Sequence, residues 1–446
     1  HGGLLALRTN EEHMKATRDQ GIGLIDMVVV NLYPFEKTIA KPGVGIEEVI
    51  ENIDIGGPSM LRSAAKNSAS VAVVCDPQRY TQVIDELAKH NGSLPGSLLC
   101  QLGIEAYKIT SHYDSVIHQY LKNHFYPEFK TGMPQELTME LAKVQDLRYG
   151  ENPHQKAAFY RDAGKQEGLA TIKQLWGKEL SFNNILDLQA AVALVREFSL
   201  PAVVFIKHNN PCGVAENKDL YKAYKDAWKA DTLSAFGGIV SVNRPIDLRL
   251  AQSIEKSGFL ECIICPRFSP EALKILTRKK NVRLLEFPMM AEQHEQMDYK
   301  RVSGGLLVQE ADTPVIDQNA LQVVTKKKPG KKDMESLLFA WKVAKHVKSN
   351  AIVLARGTRT VGIGAGQMSR VDSVHIATRK AGSLAKTSVL ASDAFFPKED
   401  AIKLAARFHV KAIIQPGGSI ADAAIIAAAD RYKIPMVFTG MRHFRH

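Results

Sequence analysis

Cysteine is scarce in this chain. Five thiols in 446 residues, Cys75, Cys100, Cys212, Cys262 and Cys265, are too few and odd in number for a disulfide framework. They suit reduced thiols and a cytoplasmic home. No apolar run is long enough to span a bilayer, and no signal-peptide pattern opens the sequence. Cys262-Ile263-Ile264-Cys265 has the spacing of a metal or redox pair, yet no second pair exists to complete a zinc site, so it reads as buried, inert thiols. A zinc deaminase needs Pro-Cys-x-x-Cys; Pro211-Cys212 begins that pattern, but Ala215 stands at the second cysteine. Gly362-Ile363-Gly364-Ala365-Gly366-Gln367 falls short of a dinucleotide loop because Gln367 replaces the third glycine, and there is no P-loop. Zinc-finger spacing, RNA-binding aromatic motifs and an Arg-rich arm are also missing. The net charge of +11 therefore suits phosphorylated or carboxylated small molecules at least as well as nucleic acid.

What remains is an ordinary globular composition, 45% hydrophobic and 24% charged, in a chain long enough for two or three domains. A linker rich in proline, glycine and lysine is expected at 125–137, and the basic run 326–332 reads as a second boundary. No fixed-period repeat is visible. Strand patterns at 27–34 and 71–74 flank Asp54-Ile55-Gly56-Gly57-Pro58, a glycine-rich turn entering a helix, where free N–H groups make an anion site or a simple cap.

The most informative stretch is 203–213. The β-branched, apolar run Val203-Val204-Phe205-Ile206 stops abruptly at Lys207-His208, and Asn209 to Gly213 reads as turn chemistry. A strand's carboxyl end is where open α/β sheets usually bind ligands. Lysine and histidine there are candidates for charge stabilisation and proton transfer, or simply two solvated side chains. Arg148-Tyr149, in a loop of turn formers, offers a guanidinium and a phenol side by side for a phosphate. The paired glycines Gly237-Gly238 permit close approach of backbone to a ligand, or mark a bulge. Asn350, the loop ending at Arg370, Asp393 to Pro397, and Gln415 to Ser419 add further polar strand-end loops, which suits a ligand cleft.

Taken in series, IDIGGPSMLRSAAKN, LRYGENPHQ, FIKHNNPCGVA, SAFGGIV, GIGAGQMSR, SDAFFP, QPGGS and the terminal RHFRH closely resemble the bacterial bifunctional AICAR formyltransferase/IMP cyclohydrolase family, from His1 to His446. The resemblance implies an α/β protein: a Rossmann-like, methylglyoxal-synthase-like domain over 1–130, then two cytidine-deaminase-like subdomains without zinc over 131–330 and 331–446. It implies formyl transfer from 10-formyltetrahydrofolate to AICAR and closure of the product, FAICAR, to IMP, with no metal cofactor. It further implies a homodimer whose sites are shared between subunits, and neither nucleic-acid nor membrane partners.

Carried over by motif, His208 matches the general base and Lys207 a cation near the developing oxyanion. Arg148, Tyr149, Asn184, Gly237, Glu261, Asn350, Arg370, Phe395 and Arg442 match AICAR-holding positions; Glu261 is anchored only by its neighbours Ile263, Ile264 and Pro266. Val371, Asp400, Ser419 and Ile420 match folate-contacting positions. For ring closure, Lys66 matches the proton-transfer lysine, and Val30, Asn31, Asp54 and Ile55 match nucleotide contacts. The chain departs from the pattern in three places. Phosphate-binding turns are expected to be missing before His1, Ser68 replaces a common histidine, and Lys398-Glu399 follows Phe-Phe-Pro. Ring closure is therefore expected of the full-length protein rather than of this chain.

Overall fold

The computed structural model describes residues 1–126, 133–163, 167–289 and 297–446, so residues 127–132 of the expected linker at 125–137 lie outside the described residues. The chain divides into two compact units, His1–Leu137 and Thr138–His446.

In the first unit, the short apolar strands Met27–Val29 and Ala72–Val74 pair in parallel. The helices Gly56–Lys66 and Gly96–Phe125 close over them, burying Leu61, Ala64, Leu102 and Ala106. A Cβ at Gly103 would stand 2.9 Å from Ser68 Cβ. Small residues at both positions let the two segments approach, which accounts physically for serine at 68.

The second unit is built twice. One six-stranded sheet runs in the order Lys173–Trp176, Arg283–Glu286, Cys262–Cys265, Ile239–Val242, Ala202–Lys207, Asn210–Glu216. The other runs Gln322–Val323, Met436–Phe438, Ile413–Gln415, Val389–Ser392, Ile352–Ala355, Thr360–Gly364. By chain position these are the same order. In each, the middle strands are parallel and the terminal hairpin is antiparallel. The duplication is structural, and no sequence period announces it.

Each sheet hides one face against its own helices. The opposite faces share a core with the helices Phe182–Val195 and Lys331–Ala344, where Leu188, Val204, Ile264, Phe339, Val353 and Ile414 are all buried. That shared core explains why these strands read as continuous apolar runs rather than alternating ones. The sheets meet at their hairpin edges through an antiparallel bridge between Ala215 and Arg359 and a bond from Val214 N–H to Thr360 Oγ1 (2.9 Å). Glycine is required in both edge strands. A Cβ on Gly213 would sit 2.0 Å from Ala227 O, and one on Gly362 would sit 2.1 Å from Ala377 O.

One expectation needs correcting. Pro211, Cys212 and Gly213 are not turn residues but belong to the edge strand Asn210–Glu216, with Pro211 opposite Ile206 at a bulge. A bulge on an edge hairpin is where a sheet tolerates proline's missing N–H. The turn itself is His208-Asn209 alone, both left-handed with φ of 53° and 60°.

Candidate active site

A cleft of about 670 Å³ opens at the end of the strand Ala202–Lys207. That strand runs antiparallel to its neighbour, so its carboxyl end lies beside the amino ends of the three parallel strands. Gly237 and Glu261 thus reach the cleft from loops that precede strands, contrary to the usual placement in open α/β sheets. Lys207 Nζ donates to Phe236 O at 2.8 Å. Gly237, at φ 73°, leaves open the space next to that ammonium, because a Cβ there would lie 3.8 Å from Nζ.

Arg148 and Tyr149 line the same cleft. The guanidinium sits 4.6 Å from the Tyr149 ring centroid, and Nη2 donates to the phenol oxygen at 2.8 Å, so the two are fixed as one polar platform. The start of the helix Phe182–Val195 also faces the cleft. Ser181 and Asn184 make a capping box, in which Ser181 Oγ accepts from Asn184 N–H (3.2 Å) and Asn184 Oδ1 accepts from Ser181 N–H (3.1 Å). Asn184 is therefore buried by a helix-capping duty as well as placed at the cleft. Glu261 is held by Arg283 at 2.7 Å, and Arg283 Nε donates to Glu179 O at 2.9 Å. Sequence reading missed Arg283, Ser181 and Asp187 at this wall; only the Ser-x-x-Asn cap spacing offered a signal.

Lys207 and His208 also line a second cleft, of about 520 Å³, together with Ile363, Ala365, Gln367 and Lys380 from the other half of the unit. The pair therefore stands between two cavities. Cys212 lies on the second, and burial pushes its thiol up to about 12; burial likewise raises Cys262 and Cys265, so none of the three is a ready nucleophile.

Beside the second cleft, Lys348 N–H donates to Asn210 Oδ1 (2.9 Å), and Asn350 Nδ2 donates to Gln367 O (2.8 Å). Arg370, at the start of the helix Arg370–Ala381, is buried: it ion-pairs with Asp393 and donates to Ser392 Oγ (2.8 Å) and Asn350 Oδ1 (2.7 Å). Asn350, Arg370 and Asp393 thus form a second polar group. The terminal segment crosses it, with His443 N–H on Asp393 O (3.0 Å) and Arg445 N–H on Ser349 Oγ (3.0 Å). Phe395 is half-buried, while Arg442 is exposed, lies 4.4 Å from the Phe444 ring, and lines neither of the two clefts.

Val371 and Asp400 share a third cleft, of about 520 Å³, with His375, Lys403, Arg407 and Tyr432. Ser419 and Ile420 precede the helix Asp422–Arg431 and do not line that cleft, Ile420 being fully exposed.

In the first unit, Asp54 Oδ1 accepts from Gly57 N–H (2.7 Å), and its own N–H donates to Tyr113 Oη (2.8 Å). The turn before the helix is therefore tied down on both sides. Asn31 Nδ2 donates to Tyr80 Oη (3.0 Å), Val30 N–H donates to Val74 O (3.0 Å), and Ile55 is exposed. Lys66 is exposed at the last residue of its helix. Among the described residues, no three His, Cys, Asp or Glu side chains are grouped to hold a metal ion, and no helix is long and apolar enough to cross a membrane.

A twinned α/β unit with a cation and an imidazole at a strand end, between cavities lined by arginine and amide groups, describes a group-transfer enzyme for polar, anionic substrates. Comparison with known proteins narrows the class. The family model "AICARFT/IMPCHase bienzyme" matches residues 64–380, and the model "MGS-like domain" matches residues 6–59. The bifunctional purine biosynthesis protein PurH of a Thermoanaerobacter species is 53% identical over 446 residues, covering 100% of this chain and 86% of that protein. The PurH of Magnetococcus marinus is 51% identical over 461 residues with the same two coverages. The chain belongs to the AICARFT/IMPCHase bienzyme family. A solved structure described as ForH shares 32% identity over 26% of this chain and 60% of its own, but its TM-score of 0.24 is too low to bear on the fold.

Proposed function

We propose that this chain transfers a formyl group from 10-formyltetrahydrofolate to the 5-amino group of AICAR, the first of its family's two steps. The observation that carries the reading is the Lys207-His208 pair, facing a cleft on either side. An aromatic amine next to a carboxamide is a weak nucleophile, so its proton must leave as the bond to the formyl carbon forms. His208 is the base that accepts this proton, and Lys207 stabilises the oxygen of the tetrahedral intermediate. Collapse of the intermediate expels the tetrahydrofolate nitrogen, which takes up a proton and leaves the formylated amine.

Arg148, Tyr149, Asn184, Gly237 and Glu261 are positioned to hold the nucleotide in the larger cleft. Asn350 and Arg370 belong to the separate group beside the second cleft, and Phe395 and Arg442 are assigned to the same nucleotide by their motifs. A homodimer in which that group serves the partner's cleft accounts for their separation. Val371 and Asp400, on the third cleft, and Ser419 and Ile420, outside it, are the folate side. No metal, nucleic acid or membrane takes part, and the setting is cytoplasmic.

In the second step the carboxamide nitrogen attacks the new formyl carbon and water leaves, giving IMP. Lys66 is its proton carrier, with Val30, Asn31, Asp54 and Ile55 around the base. The deciding experiment assays the two steps separately on this polypeptide and on His208→Ala. Formyl transfer is expected to fall on the order of a hundredfold or more, with AICAR affinity within threefold of the parent. Undiminished transfer by His208→Ala overturns the assignment of the base.

A further inference from the structure

We infer that Asp187 is a positioning residue for formyl transfer: its half-buried carboxylate holds the His208-Asn209 turn in its left-handed form and so presents the imidazole to the clefts. This rests on the function proposed above.

Left-handed backbone is sterically costly for residues with a side chain, although asparagine tolerates it better than most. Here two such residues follow one another, at φ 53° and 60°, and neither is glycine. Asp187, on the helix Phe182–Val195, supplies the compensation. One carboxylate oxygen accepts from Asn209 N–H at 2.6 Å and the other from His208 N–H at 3.1 Å. Both N–H groups of the turn are thereby drawn onto a single rigid acceptor. Charge-assisted bonds of this kind are roughly twice as strong as neutral ones.

The second half of the unit supplies an internal comparison. Its matching hairpin turns through Gly357, at φ 60°, where glycine adopts the conformation without steric cost. Histidine and asparagine pay a steric cost there that glycine does not. The first half retains a histidine at its turn and has a carboxylate beneath it. Among the described residues, the positively charged side chains that face this cleft with Asp187, namely Arg148, Lys178, Lys207 and Arg283, form no ion pair with its carboxylate: Arg148 bonds to Tyr149, Lys207 to Phe236 O, and Arg283 to Glu261 and Glu179 O. The carboxylate's hydrogen bonds are to the turn: from its two backbone N–H groups and from the Asn209 side-chain amide nitrogen (3.2 Å) in the amide orientation that satisfies both of its ends.

The test compares the parent with Asp187→Ala and Asp187→Asn, reading steady-state formyl transfer, AICAR binding, and amide hydrogen exchange over the segment containing the turn. Asp187→Ala should lower kcat by about 10- to 100-fold, the cost of misplacing a reacting group. KM for the nucleotide should stay within threefold, and exchange at the turn should rise. Asp187→Asn keeps one acceptor oxygen and should fall between the two.

Asp187→Ala within twofold of the parent kcat overturns the inference. So does Asp187→Asn falling as far as Asp187→Ala while AICAR still binds, because charge rather than backbone anchoring is then what matters. If Asp187→Ala does not fold, Asp187→Asn decides alone: slower exchange at the turn than in an unanchored loop, with an intermediate kcat, supports anchoring, and parental kcat with unprotected turn amides refutes it. A parent enzyme with no formyl transfer at all refutes the proposed function, whatever the exchange at the turn shows.

Discussion

Acid should loosen the seam between the two sheets of the second unit, and Glu197 is the group through which this happens. It follows the helix Phe182–Val195 and bonds to residues just past the helix Lys331–Ala344: His346 Nε2 at 2.9 Å and Lys345 Nζ at 3.0 Å. Burial resists ionisation of this carboxyl, but His346 and Lys345 outweigh it and bring its pKa from an ordinary 4.5 to about 2.

A depressed acid stabilises the fold above its unfolded pKa and loses that contribution as pH falls toward its folded pKa. The drop from 4.5 to about 2, at about 1.4 kcal/mol per pH unit, corresponds to about 3 kcal/mol at neutral pH. About half of that is gone near pH 3. Burial lowers His346, which also favours the fold at higher pH, so both groups lose stability in acid.

The assay is urea unfolding of the parent and of Glu197→Gln, followed by the fluorescence of Trp341, which is buried in the core both sheets share. The two should differ by about 3 kcal/mol at pH 7, with the gap narrowing steadily below pH 4. A gap that is the same at pH 7 and pH 3.5 refutes the reasoning, because the carboxyl then titrates alike in folded and unfolded chains.

Two further perturbations test the architecture. Gly362→Ala places a Cβ 2.1 Å from Ala377 O, a backbone atom that cannot swing aside, and should cost about 1–3 kcal/mol or more, read as a lower urea midpoint; an unchanged midpoint refutes the close packing. Arg370→Met strands Asp393, whose side chain is fully buried, and should destabilise by about 3–5 kcal/mol. Adding Asp393→Asn should recover part of that loss, and no recovery means that the ion pair is not what Arg370 supplies.

How much of this was legible in the sequence depended on how local each signal was. Lys207-His208 could be read because an apolar β run ends abruptly at two ionisable groups, and the structure does end a strand there. The extent of the turn could not be read: Asn209, Asn210, Pro211 and Gly213 are all turn formers, and only the pairing of Lys207 with Asn210 decides that two residues suffice. The Arg370–Asp393 pair joins a helix start to a strand end, and nothing in the spacing of those residues predicts it. Asp187 has the sequence look of any polar residue on an amphipathic helix; its importance comes from a turn that folds above it. The family, by contrast, was legible because eight separate strings matched in order, which no single motif could have established.

The duplicated sheet explains why its two copies look unrelated in sequence. The copies meet along antiparallel hairpin edges, so the end of the first at which Ala202–Lys207 finishes lies beside the end of the second at which Ile352–Ala355 begins, as the bond from Lys348 to Asn210 records. One continuous row of loops therefore takes, from the first copy, the segments before its parallel strands, with Gly237 and Glu261. From the second copy it takes the segments after them, with Asp393 and Gln415. Loops equivalent by topology face opposite ways, and only one of each pair can meet a substrate in that row. The buried strands need only remain apolar, which many sequences satisfy, while the loops carry different chemistry in each copy. The strongest repeat signature that survives is a steric one, the glycines at 213 and 362 pressed against the helix carbonyls of Ala227 and Ala377.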